Sequence, residues 1–448
     1  NQNAQREGAG TADGEADEGE QPHGGRQVRR RFVEHCKWVI VVRCVCDRQP
    51  CQERNREAEL GGELRATILV ICIHARLIGQ PLSFSKRNLR SHEMSETGNG
   101  ANGAGNGAGA AGGPDFNEIR KLIGEMPAPD VAAVEATRAR EAELTKPPGA
   151  LGRLEEITEW VAAWQGRHPP NVTHARVAVF AGNHGVAARG VSAFPAEVTA
   201  QMVQNFVAGG AAVNQLTEIA DADLRVYEMA LETPTADFTR GPALSEEDCA
   251  KAVAYGMMSV EAGVELIALG EMGIANTTSA AAICHALYGG AAQDWVGPGT
   301  GVAGDALAAK VAAVEAAVAV NRSLLDDPLQ LLRALGGHEV AAIVGAIIAA
   351  RLAGVPVLLD GYTCTAAAAV LHAIDPHALD HCMIGHLSAE PAHRALCEKL
   401  DKVPLLALAM RLGEGSGAAL AIQIVRAALA CHTGMATFAD AEVSGKAN

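Results

Sequence analysis

Five short strand-like runs, at 175–181, 224–229, 266–269, 355–359 and 405–410, constrain the fold of this chain more than any other feature. Patterns of helical length lie between them, for instance at 305–321 and 340–353. Strands alternating with helices of this length predict an α/β fold, a mostly parallel sheet flanked by helices on both faces. Ligands of such sheets bind outside the carboxyl ends of the strands, so the loops after the five runs are the places to look for chemistry.

The last of these loops is the most informative. Arg411-Leu412-Gly413-Glu414-Gly415-Ser416-Gly417-Ala418 follows the apolar stretch 403–410 and precedes an Ala/Ile/Val segment that ends near Cys431. It reads as strand, glycine-rich turn and helix, with one guanidinium and one carboxylate at the strand end. Glycines on both sides of Glu414 let a substrate approach the backbone closely. Taken alone, the same string also fits a plain turn that carries a solvated Glu.

The first loop is Ala181-Gly182-Asn183-His184-Gly185, followed by Ser192 and a helix containing Thr199, Gln201 and Asn205. By itself His184 reads more readily as a structural turn histidine than as a catalyst. The second is Gly270-Glu271-Met272-Gly273-Ile274-Ala275-Asn276-Thr277-Thr278-Ser279, opening a helix from about Ala280. Asn and Thr are ordinary N-caps. The unpaired N–H groups, hydroxyls and dipole of a helix start also suit a phosphate. The string is neither a Walker nor a Rossmann fingerprint, which speaks against ATP and NAD.

Gly297-Pro298-Gly299-Thr300-Gly301 stands before Lys310, a helix lysine that is normally solvated and gains meaning only if it turns toward the phosphate loop. Two further loops are Asp360-Gly361-Tyr362-Thr363-Cys364-Thr365 and Gly385-His386-Leu387-Ser388-Ala389-Glu390-Pro391. His381, Cys382 and His386 raise the idea of a metal, but no fourth ligand stands at a usual spacing, so no metal is expected.

Length and composition set the outer bounds. The 448 residues hold roughly two or three domains. At 48% hydrophobic but 4% aromatic, the core must be built from closely packed helices and aliphatic strands. A net charge of −15 argues against nucleic acid, which needs a basic face; a small anion needs only a local cationic pocket. The eleven cysteines are scattered without a CxxC, the pattern of free thiols. Apolar runs near the start are too short to span a bilayer and no secretory signal is present, so a cytoplasmic protein with no membrane partner is expected.

Residues 1–93 differ from the rest. They hold 15 Lys and Arg against 13 Asp and Glu, whereas the remaining residues hold 22 against 39. The first methionine is Met94, which is followed by a Gly/Asn/Ala linker ending at Pro114. The expectation is that 1–93 is a non-native or disordered leader, with a natural start at Met94. Residues 94–114 are then a flexible linker, and 115–446 the working region.

Read together, the loops resemble one family. The strings KPPGALGRLE, FAGNHGVAARGVSAFPAEVTAQM, GEMGIANTTSAAAI, GPGTGV, GGHEVAAIVGAI, GHLSAEPAH and MRLGEGSGAAL run in the order found in the nicotinate-nucleotide–dimethylbenzimidazole phosphoribosyltransferase family, over about residues 115–446. The resemblance implies transfer of the 5-phosphoribosyl group from nicotinate mononucleotide to 5,6-dimethylbenzimidazole, giving α-ribazole 5′-phosphate and nicotinate in cobalamin assembly, without a cofactor. It implies a Rossmann-like large domain (about 175–430), a smaller helical domain made from both ends of the core, and a homodimer.

Carried over by this resemblance, Glu414 matches the general base and Glu271 a second acid near the ribose. Gly273, Asn276, Thr277 and Thr278 match the phosphate turn, with Lys310 and Arg411 as its cationic partners. Ser192 and Gln201 fall in the stretch that lines the base pocket. Ala275 and Asn183 depart from the residues many members carry, Gly and Asp respectively. Transfer to adenine or a phenolic base, or a non-catalytic nucleotide-binding role, stays open on sequence alone.

Overall fold

The structure, a computed structural model, describes residues 42–45 and 113–444. The start at Met94, most of the linker and nearly all of the leader 1–93 lie outside the described residues. Six strands form one sheet: β1 (Val42–Val45), β2 (Ala175–Ala181), β3 (Asp223–Glu228), β4 (Leu266–Met272), β5 (Val357–Leu359) and β6 (Cys382–Ile384). Their order is β1-β3-β2-β4-β5-β6. The last five in sequence run parallel, and β1 pairs antiparallel with β3 at the edge.

This is the mostly parallel, helix-flanked α/β sheet that the alternation predicts. Side chains of one strand alternate between faces, and here both faces are covered. Ala178, Phe180, Ile267 and Leu269 enter one buried cluster with the helices Glu246–Met257, Asn276–Tyr288, His338–Leu352 and Tyr362–Ile374. Val177, Val179, Leu266 and Ala268 enter another with Arg153–Gln165 and Ser416–Gly434.

Small residues make the tightest contact between helices. A Cβ on Gly256 would stand 1.7 Å from the Ala342 carbonyl oxygen, and one on Gly345 would stand 1.9 Å from that of Val253. The Ala/Gly-rich composition is therefore a packing device, which lets backbones meet where an aromatic core would separate them.

Two expectations about elements need correction. The run 405–410 is not a strand; only Leu406 bridges to His386, in parallel. Backbone bonds join Leu405 N to the Ile384 carbonyl and Leu387 N to the Leu406 carbonyl, but Ala409 turns the chain at a φ of 55° and Leu408 is 57% exposed, so the pairing does not extend into a regular strand. The strand at that position of the sheet is β6, whose three residues are too short a pattern to see beside His381 and His386. The helix expected from about Ala280 begins at Asn276, one turn earlier.

β2 is followed by β3 on one side, while β4 lies on its other side. The strand order thus reverses between β2 and β4, the switch point where such sheets open a crevice at their carboxyl ends.

Candidate active site

The crevice is lined by the ends of β2 and β4 and by the loop that carries Glu414. Gly413, Glu414 and Gly415 all have positive φ, at 82°, 63° and 77°, so three left-handed residues in a row turn the chain back over β4. For Glu414 this conformation costs energy that a glycine would not incur. The loop lies on the strand itself: a Cβ on Gly270 would stand 2.4 Å from Gly415 Cα. Glu414 N donates to the Glu271 carbonyl at 3.1 Å.

Beneath the loop, Asp360 accepts from Gly415 N at 3.2 Å and from Ala418 N at 2.9 Å, capping the helix Ser416–Gly434. His386 Nε2 stands 3.6 Å from the same carboxylate.

The electrostatics follow from burial. Glu414 is 5% exposed, its Oε2 has no hydrogen-bond partner among the described residues, and burial followed by the charge of Asp360 pushes its pKa up to about 7. Glu271 rises further, to about 8. Burial is the main cause; the Asn276 amide opposes it by donating to Oε2, and the Asp360, Glu339 and Glu414 charges add to it. Two neighbouring buried carboxyls both raised toward neutral pH are the pattern of an acid–base site.

The turn that the resemblance assigns to phosphate sits against Glu271, whose Oε2 accepts from the Asn276 amide. Asn276 and Thr277 begin the helix Asn276–Tyr288, and Ala275 caps it at a φ of 77°. Ile274 N donates to Thr199 Oγ1 at 3.1 Å, which fastens the turn to the helix Glu197–Val207.

Lys310 is fully buried, contrary to the ordinary expectation for a helix lysine. Its Nζ donates to Thr277 Oγ1 at 2.8 Å and to the Gly297 carbonyl at 2.9 Å. Burial lowers its pKa to about 8, an effect that Glu390 opposes. Among the described residues no carboxylate lies within ion-pair distance of it. A buried ammonium satisfied only by neutral oxygens is ready to take an anion. Arg411 is exposed and donates to the Gly299 carbonyl at 2.8 Å, so it reaches the same turn from the opposite side.

The structure therefore brings together Glu414, Glu271, Gly273, Asn276, Thr277, Lys310 and Arg411. Thr278 is fully buried in the first turn of its helix. Ser192 is part of the rim: its Oγ is 2.9 Å from Thr300 Oγ1, which joins its loop to 297–301. Gln201 is exposed on the helix Glu197–Val207. Asn183 has a structural task, donating to the Leu231 carbonyl at 2.9 Å.

Sequence reasoning missed Asp360, Glu390 and the pairing of His184 Nε2 with Glu339 Oε1 at 2.5 Å. Each stands within a few residues of a helix start, and that position was the available signal. The two histidines of the metal idea turn to different partners. His381 Nε2 faces the Ile347 carbonyl at 3.0 Å whereas His386 faces Asp360, and no metal-holding group of His, Cys, Asp and Glu occurs among the described residues.

A parallel sheet whose switch-point crevice joins an anion-suited helix start to a carboxyl pair is the layout of an enzyme for a small anionic substrate. The family model described as phosphoribosyltransferase matches residues 126–443. Nicotinate-nucleotide–dimethylbenzimidazole phosphoribosyltransferase from Rhizobium meliloti (strain 1021) is 60% identical over 337 residues, 75% of this chain and 99% of the relative. That from Rhizobium etli (strain CIAT 652) is 60% identical over 334 residues, covering 75% and 98%.

The crystal structure of the enzyme of that name from Thermus thermophilus superposes with a TM-score of 0.66 at 39% identity, covering 71% of this chain and all of the other. The chain belongs to the nicotinate-nucleotide–dimethylbenzimidazole phosphoribosyltransferase family and is a phosphoribosyltransferase enzyme.

Proposed function

We propose that this enzyme transfers the 5-phosphoribosyl group of nicotinate mononucleotide to 5,6-dimethylbenzimidazole. The observation that carries the reading is the Glu414 carboxyl held by its loop at the end of β4, across from the phosphate turn and Lys310. In this reaction the C1′–N bond to nicotinate breaks and a benzimidazole nitrogen bonds to C1′. The proton on the other ring nitrogen passes to Glu414.

A base whose pKa lies at about 7 is matched to neutral pH. The leaving group departs from a pyridinium that is already cationic, so its expulsion needs no proton. Glu271, at about 8, holds a proton at neutral pH until the nucleotide arrives, and the positive charge of the pyridinium ring at C1′ then favours its anion beside the ribose. Lys310, Arg411 and the first turn of the helix Asn276–Tyr288 hold the 5′-phosphate, which fixes C1′ for attack. Ser192 and Gln201 border the acceptor base.

We assign the working region to 115–446, with a large α/β domain at about 175–430 and a small helical domain from the two ends. The active species is taken to be a cytoplasmic homodimer. Val403, Leu408 and Leu412, 67%, 57% and 56% exposed beside the site, supply apolar surface for the contact. No helix among the described residues is long and apolar enough to cross a membrane.

The test is a chromatographic assay of the full chain with both substrates. Equal amounts of α-ribazole phosphate and nicotinate are expected. A protein that binds the mononucleotide yet makes no product with this base or a panel of others would refute the reading.

A further inference from the structure

We infer that Glu390 is a positioning residue for the phosphorylated donor: it fixes the turn 297–299 in the arrangement from which both cations of the phosphate site are held. The inference rests on the phosphate reading of that site. Glu390 is 5% exposed and its Oε1 accepts from Gly299 N at 2.9 Å. The two carbonyls of the same turn receive the cations, Gly297 from Lys310 Nζ at 2.9 Å and Gly299 from Arg411 Nη1 at 2.8 Å. One three-residue turn thus couples a buried lysine on one side to an exposed arginine on the other, and a single carboxylate holds its N–H.

Glu390 has little freedom of its own. Its N–H donates to Ser388 Oγ at 3.2 Å, and its carbonyl accepts from His393 N at 3.0 Å. The His393 ring is held in turn by Ser388 N at 2.8 Å and by Thr365 Oγ1 at 3.0 Å.

The second oxygen, Oε2, is buried without a hydrogen-bond partner among the described residues, an arrangement that costs stability. A purely structural anchor for Gly299 N would not need a charge there. The charge acts on Lys310, which is faced at hydrogen-bond distance by Thr277 and Gly297 and electrostatically by Glu390. Its effect is to keep the ammonium protonated against burial.

The experiment is steady-state kinetics of Glu390→Ala and Glu390→Gln in the full chain, with nicotinate mononucleotide and its dephosphorylated riboside as alternative donors. Glu390→Ala should raise KM for the mononucleotide by about tenfold or more, leaving kcat and the riboside KM little changed. Glu390→Gln keeps an acceptor for Gly299 N but lacks the charge. Its mononucleotide KM should match wild type in acid and rise at a lower pH than wild type does, as Lys310 loses its proton sooner.

Should Glu390→Ala fail to fold, the Gln variant still decides. Wild-type discrimination between the donors that survives in both variants overturns the inference alone, as does a parallel rise of both KM values. A wild-type enzyme that treats the two donors alike overturns the phosphate reading and the inference with it.

Discussion

Glu414 N donates to the Glu271 carbonyl at 3.1 Å, so the two acids of the site are tied together through the backbone while their carboxyls titrate in one field. The base must be ionised to accept a proton. The account predicts that kcat/KM rises with pH through about 7, the value to which burial and Asp360 bring Glu414. Asp360→Asn removes that charge, so the rise should move to lower pH. It also leaves Gly415 N or Ala418 N without a full acceptor, at about 1–3 kcal/mol of stability. A pH–rate profile of the variant, read beside its unfolding curve, checks both.

Lys310 sets the opposite limb. Its pKa stands at about 8 because burial outweighs Glu390, so affinity for the phosphorylated donor should weaken as pH rises through that value. With Glu414 this gives a narrow bell between the two limbs. Lys310→Ala should raise KM for the mononucleotide by about tenfold or more, leave the riboside unaffected and abolish the alkaline limb. Titration calorimetry with both donors gives the comparison.

The same carboxyls weaken the folded state at high pH. Their folded pKa values lie above the ordinary 4.5, so the folded chain keeps protons that the unfolded chain has released. Their contribution is full below about pH 4.5 and is lost as pH rises through 7 and 8. Glu271→Gln should therefore stabilise the protein by roughly 1–3 kcal/mol near pH 9 and by nothing near pH 4. Thermal unfolding at the two pH values is the check, and activity should fall as stability rises.

Backbone contact between β4 and the base loop gives a steric prediction. A methyl on Gly270 would meet Gly415 Cα and N, both at 2.4 Å, with no flexible side chain able to give way. Gly270→Ala should cost about 1–3 kcal/mol and displace Glu414, lowering turnover more than donor binding. Chemical denaturation together with kcat and donor affinity would show it.

How much of this was legible depended on whether a residue's meaning is local. Glu414, Glu271 and the Asn276-Thr277 turn sit inside glycine-rich strings at element ends, so their place at the mouth of the sheet was legible in the sequence, while their roles were carried over from the family resemblance. β2 and β4 carry nearly continuous apolar patterns and β3 sets Leu224, Val226 and Tyr227 among charged residues, and all three were legible too. β6 was not, because its three residues stand between His381 and Gly385 without the longer apolar run 355–359 that marks β5. The run 405–410 misled because apolar content does not show that the backbone leaves the extended conformation at Ala409.

Lys310 reads as a surface residue until the loop 297–301 is seen folded over it. Asp360 acts on an amide 55 positions away and Glu390 on one 91 positions away. Such contacts exist only once the parallel crossovers have brought the strand ends together, and no local spacing encodes them.

The central claim is that Glu414 takes the proton from the attacking base. Its most direct test is Glu414→Gln, with turnover and nicotinate mononucleotide affinity measured on the same preparation. The account predicts affinity close to wild type and turnover reduced by about 10²-fold or more. Turnover near the wild-type rate would contradict it and remove Glu414 from the base role.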